Sequence, residues 1–112
     1  MSKIFILEDL TSKKILFEGS KQFIDETLNY VGADKIPFFR DYEFEPEGRP
    51  RHILDAKSLE REIEVIISLI NTENSQFKLA GMSHNQLSSF FAELKYYCQA
   101  NPQHEISCYL FD

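Results

Sequence analysis

A chain of 112 residues, 43% of them apolar and 27% charged, supports one self-sufficient core and leaves little room for a second. Its net charge of −6, from 18 acidic against 12 basic side chains, argues against a dedicated phosphate-backbone binder, although a local basic patch remains compatible with it. Ten Phe and five Tyr, with no Trp, supply an aromatic core, and the composition argues against wholesale disorder.

Ile4–Leu7 is a continuous apolar run, and Ile15-Leu16-Phe17 is another. The polar link from Glu8 to Lys14 suits an antiparallel hairpin, with the first strand buried on both faces and central in its sheet. The first helix starts at Ser20, a good N-cap, and ends at Gly32, with Phe23, Ile24, Thr27, Leu28 and Val31 along one stripe.

The segment from Ala33 to Leu54 departs from this regularity. Pro37 and Pro50 exclude a continuous helix. Tyr42 and Phe44 alternate with Asp41, Glu43 and Glu45, which is the period of a strand. Pro46-Glu47-Gly48 then makes a turn, because Pro presets its own backbone angle and Gly accepts the left-handed one. The pattern favours a second hairpin whose return arm runs from Arg49 to Leu54, with Pro50 placing that arm at a sheet edge, over the alternative of an irregular loop of about twenty residues.

The second helix is expected over about Ser58 to Ile70. Leu59, Ile63, Ile66, Ile67 and Ile70 form its stripe, widened by Val65 and Leu69, so that it packs on two sides or meets a partner. Gln76 to Ala80 reads as a short strand. Ser83 and Gln86 form a capping box for the third helix, which Asn101-Pro102 stops. In the closing strand, Ile106, Cys108 and Leu110 share one face and Ser107, Tyr109 and Phe111 the other. The last strand–helix–strand unit is expected to cross over right-handed and set two strands parallel. The expected fold is α+β, one domain over residues 1–112. It has a mixed sheet of about five strands, from two hairpins and the strand–helix–strand unit, covered by three helices.

No glycine-rich phosphate loop, nucleophile elbow or paired-cysteine metal spacing occurs, and no cofactor or metal is expected. His52, His84 and His104 lack a ligand spacing. Cys98 and Cys108 read as small apolar core residues of a reduced, cytoplasmic protein. Cys98 falls at a helix C-terminus, where the dipole disfavours a thiolate, so a Cys98–His104 nucleophile is not expected. Glu43 and Glu45 lie on one strand face and do not oppose each other across a substrate, so an acid/base pair is not expected either. The apolar run at the N-terminus is too short for a signal peptide, and no run has the length of a membrane span.

The functional expectation therefore rests on Arg40–His52. It is a non-enzymatic protein-binding module, a small regulator or an inhibitor or immunity-type protein. Asp41, Tyr42, Glu43, Glu45 and Glu47 would meet a basic partner surface. The alternative is a nucleic-acid-associated regulator that binds single-stranded RNA. It would use a basic patch of Arg40, Arg49, Arg51 and His52, with Phe38, Phe39 or Tyr42 stacking on bases. Cross-strand pairing of Arg49 and Arg51 with Glu43 and Glu45 would instead neutralise the row. A homodimer is a further expectation, from the broad apolar second helix and the edge arm at Pro50. Richness in Ile, Phe, Lys and Asn fits an AT-rich bacterial or phage genome.

Overall fold

A computed structural model describes residues 3–41, 43–44 and 53–111, with residues 43–44 described by their backbone. Strands β1 (Ile4–Asp9) and β2 (Lys14–Ser20) form the expected antiparallel hairpin, and β7 (Glu105–Phe111) pairs antiparallel with the other side of β1. The first strand is thus central, as its apolar run implies. Leu16 is an extra residue on β2, where the register shifts opposite Leu7 and Glu8, and it makes a bulge in this edge strand.

Helix α1 (Lys21–Val31) begins where the Ser20 hydroxyl accepts from Phe23 N, and it ends at Gly32, whose φ of 100° leaves the helical path. A 3₁₀ turn over Ala33–Lys35 leads into a short helix, α2 (Pro37–Arg40). The sequence pattern does not anticipate α2. Pro37 occupies its first position, where the missing N–H is no loss, so the residue that excludes a helix running through starts one instead. The Glu62 carboxylate accepts from Phe38 N at 3.0 and 3.1 Å and closes this helix start. Phe38 and Phe39 are thereby turned into the core.

The expected second hairpin requires correction. The short strands β3 (Glu43–Phe44) and β4 (Ile53–Asp55) do not pair with each other. Both pair with β7, β3 in parallel at Tyr109 and Leu110 and β4 antiparallel at Glu105 to Ser107. Since β1 occupies one edge of β7, the two short strands follow one another along its other edge. The turn at Pro46-Glu47-Gly48 lies outside the described residues.

Helix α3 (Ala56–Ile70) starts two residues earlier than expected because Asp55, in place of a later residue, caps it and accepts from Ser58 N at 2.9 Å. Its wide apolar surface is used internally. Leu59, Ile63, Ile66 and Ile70 are buried, while Val65, Ile67 and Leu69 pack against the same core. The first of the two grounds for a homodimer is therefore removed, and the second, the arm at Pro50, lies outside the described residues.

The expected right-handed crossover is also absent. Strand β5 (Lys78–Leu79) turns at once through Ala80 and Gly81, with φ of 49° and 80°, and pairs with β6 (Met82–Ser83) as a separate two-stranded ribbon. Two successive left-handed residues make a type I′ turn, whose twist matches a hairpin, so the strand is satisfied by its nearest neighbour before α4 begins. Helix α4 (His84–Ala100) carries the complete Ser83/Gln86 capping box and ends at Asn101. Among the described residues the main sheet has five strands, mixed because β3 is parallel, in the order β2–β1–β7 followed by β3 and β4 on one edge. The single-domain α+β class holds, with four α-helices among the described residues in place of three.

The helices lie on one side of the sheet. Phe5, Leu7, Ile106, Cys108 and Leu110 point to that side and share a core with Ile24, Leu59, Ile63, Leu87 and Phe91. Phe17 joins them, with its ring centroid 4.8 Å from those of both Phe23 and Phe90. That ring lies across Gly19, where a Cβ would stand 2.3 Å from the Phe17 ring edge, so any larger residue there must displace the ring. The far side carries Ile4, Ile6 and Glu8 of β1, Ile15, Glu18 and Ser20 of β2, Ile53 and Asp55 of β4, and Glu105, Ser107, Tyr109 and Phe111 of β7. The division of β7 into two faces is the one its alternation predicts.

Candidate functional site

Of the acidic row and basic patch singled out by sequence, Arg40 and Asp41 are described in full. Both are exposed at the end of α2, and they pair with each other through Arg40 Nε to Asp41 Oδ1 at 2.8 Å and a second guanidinium nitrogen to Oδ2 at 3.2 Å. One acid of the expected row and one base of the expected patch are thus brought together. Glu43 stands in register with Tyr109 and Phe44 with Leu110. Tyr42, Glu45, Glu47, Arg49, Arg51 and His52 lie outside the described residues, and with them the proposed pairing of Arg49 and Arg51 across to Glu43 and Glu45. What is described is the frame: the segment leaves from and returns to the same edge of β7.

The stacking role offered to Phe38 and Phe39 is corrected. Both rings are buried, 5.5 Å apart between centroids, and Phe39 lies 6.5 Å from Phe5. The short helix begun by Pro37 points them inward, so neither is open to a base.

A second cluster was not anticipated. Asp9, at the end of β1, is fully buried beneath the β1–β2 turn. Its carboxylate accepts from Thr11 N at 2.9 Å, Ser12 N at 3.1 Å, His104 Nδ1 at 2.6 Å and the Tyr97 hydroxyl. Burial pushes this carboxyl up, but the hydrogen bonds from Tyr97, His104 and Ser12 outweigh it and bring the pKa down to about 2. An ionised carboxylate only accepts, so Tyr97 and His104 Nδ1 must donate, which sets the imidazole tautomer. Burial and the adjacent Asp9 together raise the Tyr97 phenol. Ser12 Oγ meets the Tyr97 hydroxyl at 3.1 Å, and Lys14 Nζ lies 5.2 Å from the Tyr97 ring centroid.

A carboxylate-oriented imidazole is one part of a general-base pair. Among the described residues no nucleophile completes it. Ser12 is engaged with Tyr97, and Cys98 is wholly buried, its thiol pushed up to about 12 chiefly by that burial. Cys108 is buried as well, and both cysteines are free thiols in the core, as expected. The Asp9 cluster is best understood as a tie between the first turn, the end of α4 and the start of β7. Its only sequence signal is Asp9 followed by Thr11 and Ser12, the pattern of a side chain that caps its own turn. His84 Nε2 lies 3.0 Å from Ile70 O and links α4 to α3.

Among the described residues no three metal-ligating side chains come together, and no helix is long and apolar enough to cross a membrane. Comparison of the chain with protein-family models, with curated proteins and with solved structures finds no match.

Proposed function

We propose that the chain is a non-enzymatic protein-binding module, a small regulator or inhibitor, that meets a basic partner surface through the Arg40–His52 segment. The alternation of Asp41, Tyr42, Glu43, Phe44 and Glu45 supplies acceptors interleaved with aromatic rings, which suits a partner rich in Arg or Lys. The observation that carries the reading is the frame around this segment. β3 and β4 hold its two ends on one edge of a rigid sheet, and function-bearing loops are generally positioned by such scaffolds. Asp41 is shared with Arg40, so the reading leans most on Glu43, Glu45 and Glu47. The RNA alternative loses the Phe38 and Phe39 rings to the core and is not carried further.

Combined reversal of Asp41, Glu43 and Glu45 to Lys tests this reading. It is expected to abolish capture of partners by the tagged protein from its native host while the thermal transition of the domain stays in place. Unchanged capture by the reversed protein overturns the reading.

A further inference from the structure

The β2 edge of the sheet carries a cleft against α4. Phe90, Glu93, Leu94 and Tyr97 recur three and four residues apart and so share the α4 face that meets β2. Across from them stand Lys14, at the start of β2, and Leu16, the extra residue of the β2 bulge. An unbulged strand would send Leu16 and Phe17 to opposite faces, whereas the bulge lets both meet α4. The cleft has a volume of about 150 Å³, below the roughly 300 Å³ at which sites for drug-sized ligands begin, and so suits a small metabolite.

The lining is apolar at depth and carries one charge of each sign in solvent. Leu94 is buried and Leu16 and Phe90 are half-buried, whereas Lys14 and Glu93 are exposed. Among the described residues neither Lys14 nor Glu93 has an oppositely charged partner. Lys14 Nζ lies instead 5.2 Å from the centroid of the Tyr97 ring. Asp9 and Ser12 hold the Tyr97 hydroxyl, so this wall is fixed before any ligand arrives. β3 and β4, which bound the Arg40–His52 segment, sit on the opposite edge of the sheet, beyond β1 and β7.

We infer that this cleft binds a free α-amino acid with an apolar side chain of about the size of leucine. Its carboxylate meets Lys14, its ammonium meets Glu93, and its side chain is buried on Leu16, Phe90 and Leu94. The apolar lining alone would take any small hydrocarbon. Two unpaired charges of opposite sign select a zwitterion, because a ligand with one charge leaves the other group without a counterpart. The site is independent of the Arg40–His52 segment and adds small-molecule binding to the protein-binding reading.

The test is a titration of the isotope-labelled full chain with L-leucine, followed by amide chemical shifts. Saturable shifts are expected at Lys14, Leu16, Phe90, Glu93, Leu94 and Tyr97, with a dissociation constant of about 1 mM or below. Leucinamide, which lacks the carboxylate, and N-acetyl-leucine, which lacks the ammonium, should each bind at least about fivefold more weakly. Lys14→Met should weaken leucine by a similar factor and leave leucinamide unchanged, and Glu93→Gln should do the same with N-acetyl-leucine. The two analogues read the same contacts on the unaltered chain, so the test does not depend on the variants folding. Equal affinity for leucine and both analogues makes the cleft a simple apolar recess and overturns the inference. Shifts gathered elsewhere, such as the α3–α4 seam at Ile67 and Ser88, overturn it as well. So does the absence of saturable shifts up to about 10 mM leucine. The Asp41, Glu43 and Glu45 reversal reports separately on the first reading and is untouched by any of these results.

Discussion

On the helix side of the sheet, Phe5 and Leu7 of β1 meet Leu110 and Cys108 of β7 and disappear into a core shared by α1, α3 and α4. On the far side, Ile4 of the same strand meets Phe111 of the same partner, and both stay exposed. The two faces of β1 are about equally apolar in sequence, and the run Ile4–Leu7 does not distinguish them. The helices cover the first face along its whole length, whereas on the far side Ile6 is buried beside Tyr109 and only the pair at the strand end is open. A continuous apolar run therefore marks a strand without saying which of its faces the fold will use. The polar residues repeat the contrast. Asp9 lies on the helix side, buried, with every donor around it aimed inward, whereas Glu18 lies on the far side in solvent.

The largest effect is expected at Asp9, the one fully buried charge among the described residues. Asp9→Ala leaves Tyr97, His104 and two backbone N–H groups without their acceptor and should cost about 3–5 kcal/mol in urea unfolding. The same residue sets a pH signature. Its carboxyl drops from 3.8 to about 2 on folding, so its stabilisation is present above about pH 4 and is lost as pH falls towards 2. Acid titration of the wild-type protein should show this loss, of about 2 kcal/mol, and Asp9→Asn should flatten it. An unchanged acid limb in the variant would place the acid sensitivity elsewhere.

The two faces are compared most directly by truncating neighbours on β1. Leu7→Ala, under the helices, should destabilise by about 2–5 kcal/mol. Ile4→Ala, on the far side, should change stability by about 1 kcal/mol or less, because its side chain already meets water. Equal losses would mean that the far face is as much a core as the near one. Between these two falls Gly19→Ala, expected to cost about 1–3 kcal/mol because the new methyl must displace the Phe17 ring from its place between Phe23 and Phe90. A parallel drop in thermal midpoint and loss of aromatic near-ultraviolet dichroism would check it.

Much of the fold was legible wherever the deciding contacts are local. Ser20, Gly32, the Ser83/Gln86 box and Asn101 set the ends of α1 and α4 through hydrogen bonds that span three or four residues. Those partners lie close in the chain, so residue type and spacing suffice to find them. The candidate site was less legible. Pro37 excludes one helix and starts another, and the difference depends on Glu62, which arrives from α3 to cap the new helix. Nothing near Phe38 and Phe39 in sequence announces that carboxylate. The Asp9 cluster was hidden for the same reason, since Tyr97 and His104 come from the other end of the chain.

The sequence by itself determined the three long helices, the caps of α1 and α4, the alternation of the closing strand and an aromatic core large enough to hold them together. It also singled out Arg40–His52 as the chemically unusual stretch. Only the tertiary structure decided that β3 and β4 share an edge of β7 instead of pairing with each other, and that Ala80-Gly81 closes a separate ribbon. The reason lies in how strands are satisfied. A strand's hydrogen-bonding edge accepts any neighbour of suitable register, so the partner is chosen by the closure of long loops and by which face the helices bury. The same choice left Ile4, Ile15, Ile53 and Phe111 exposed on the far side of the sheet.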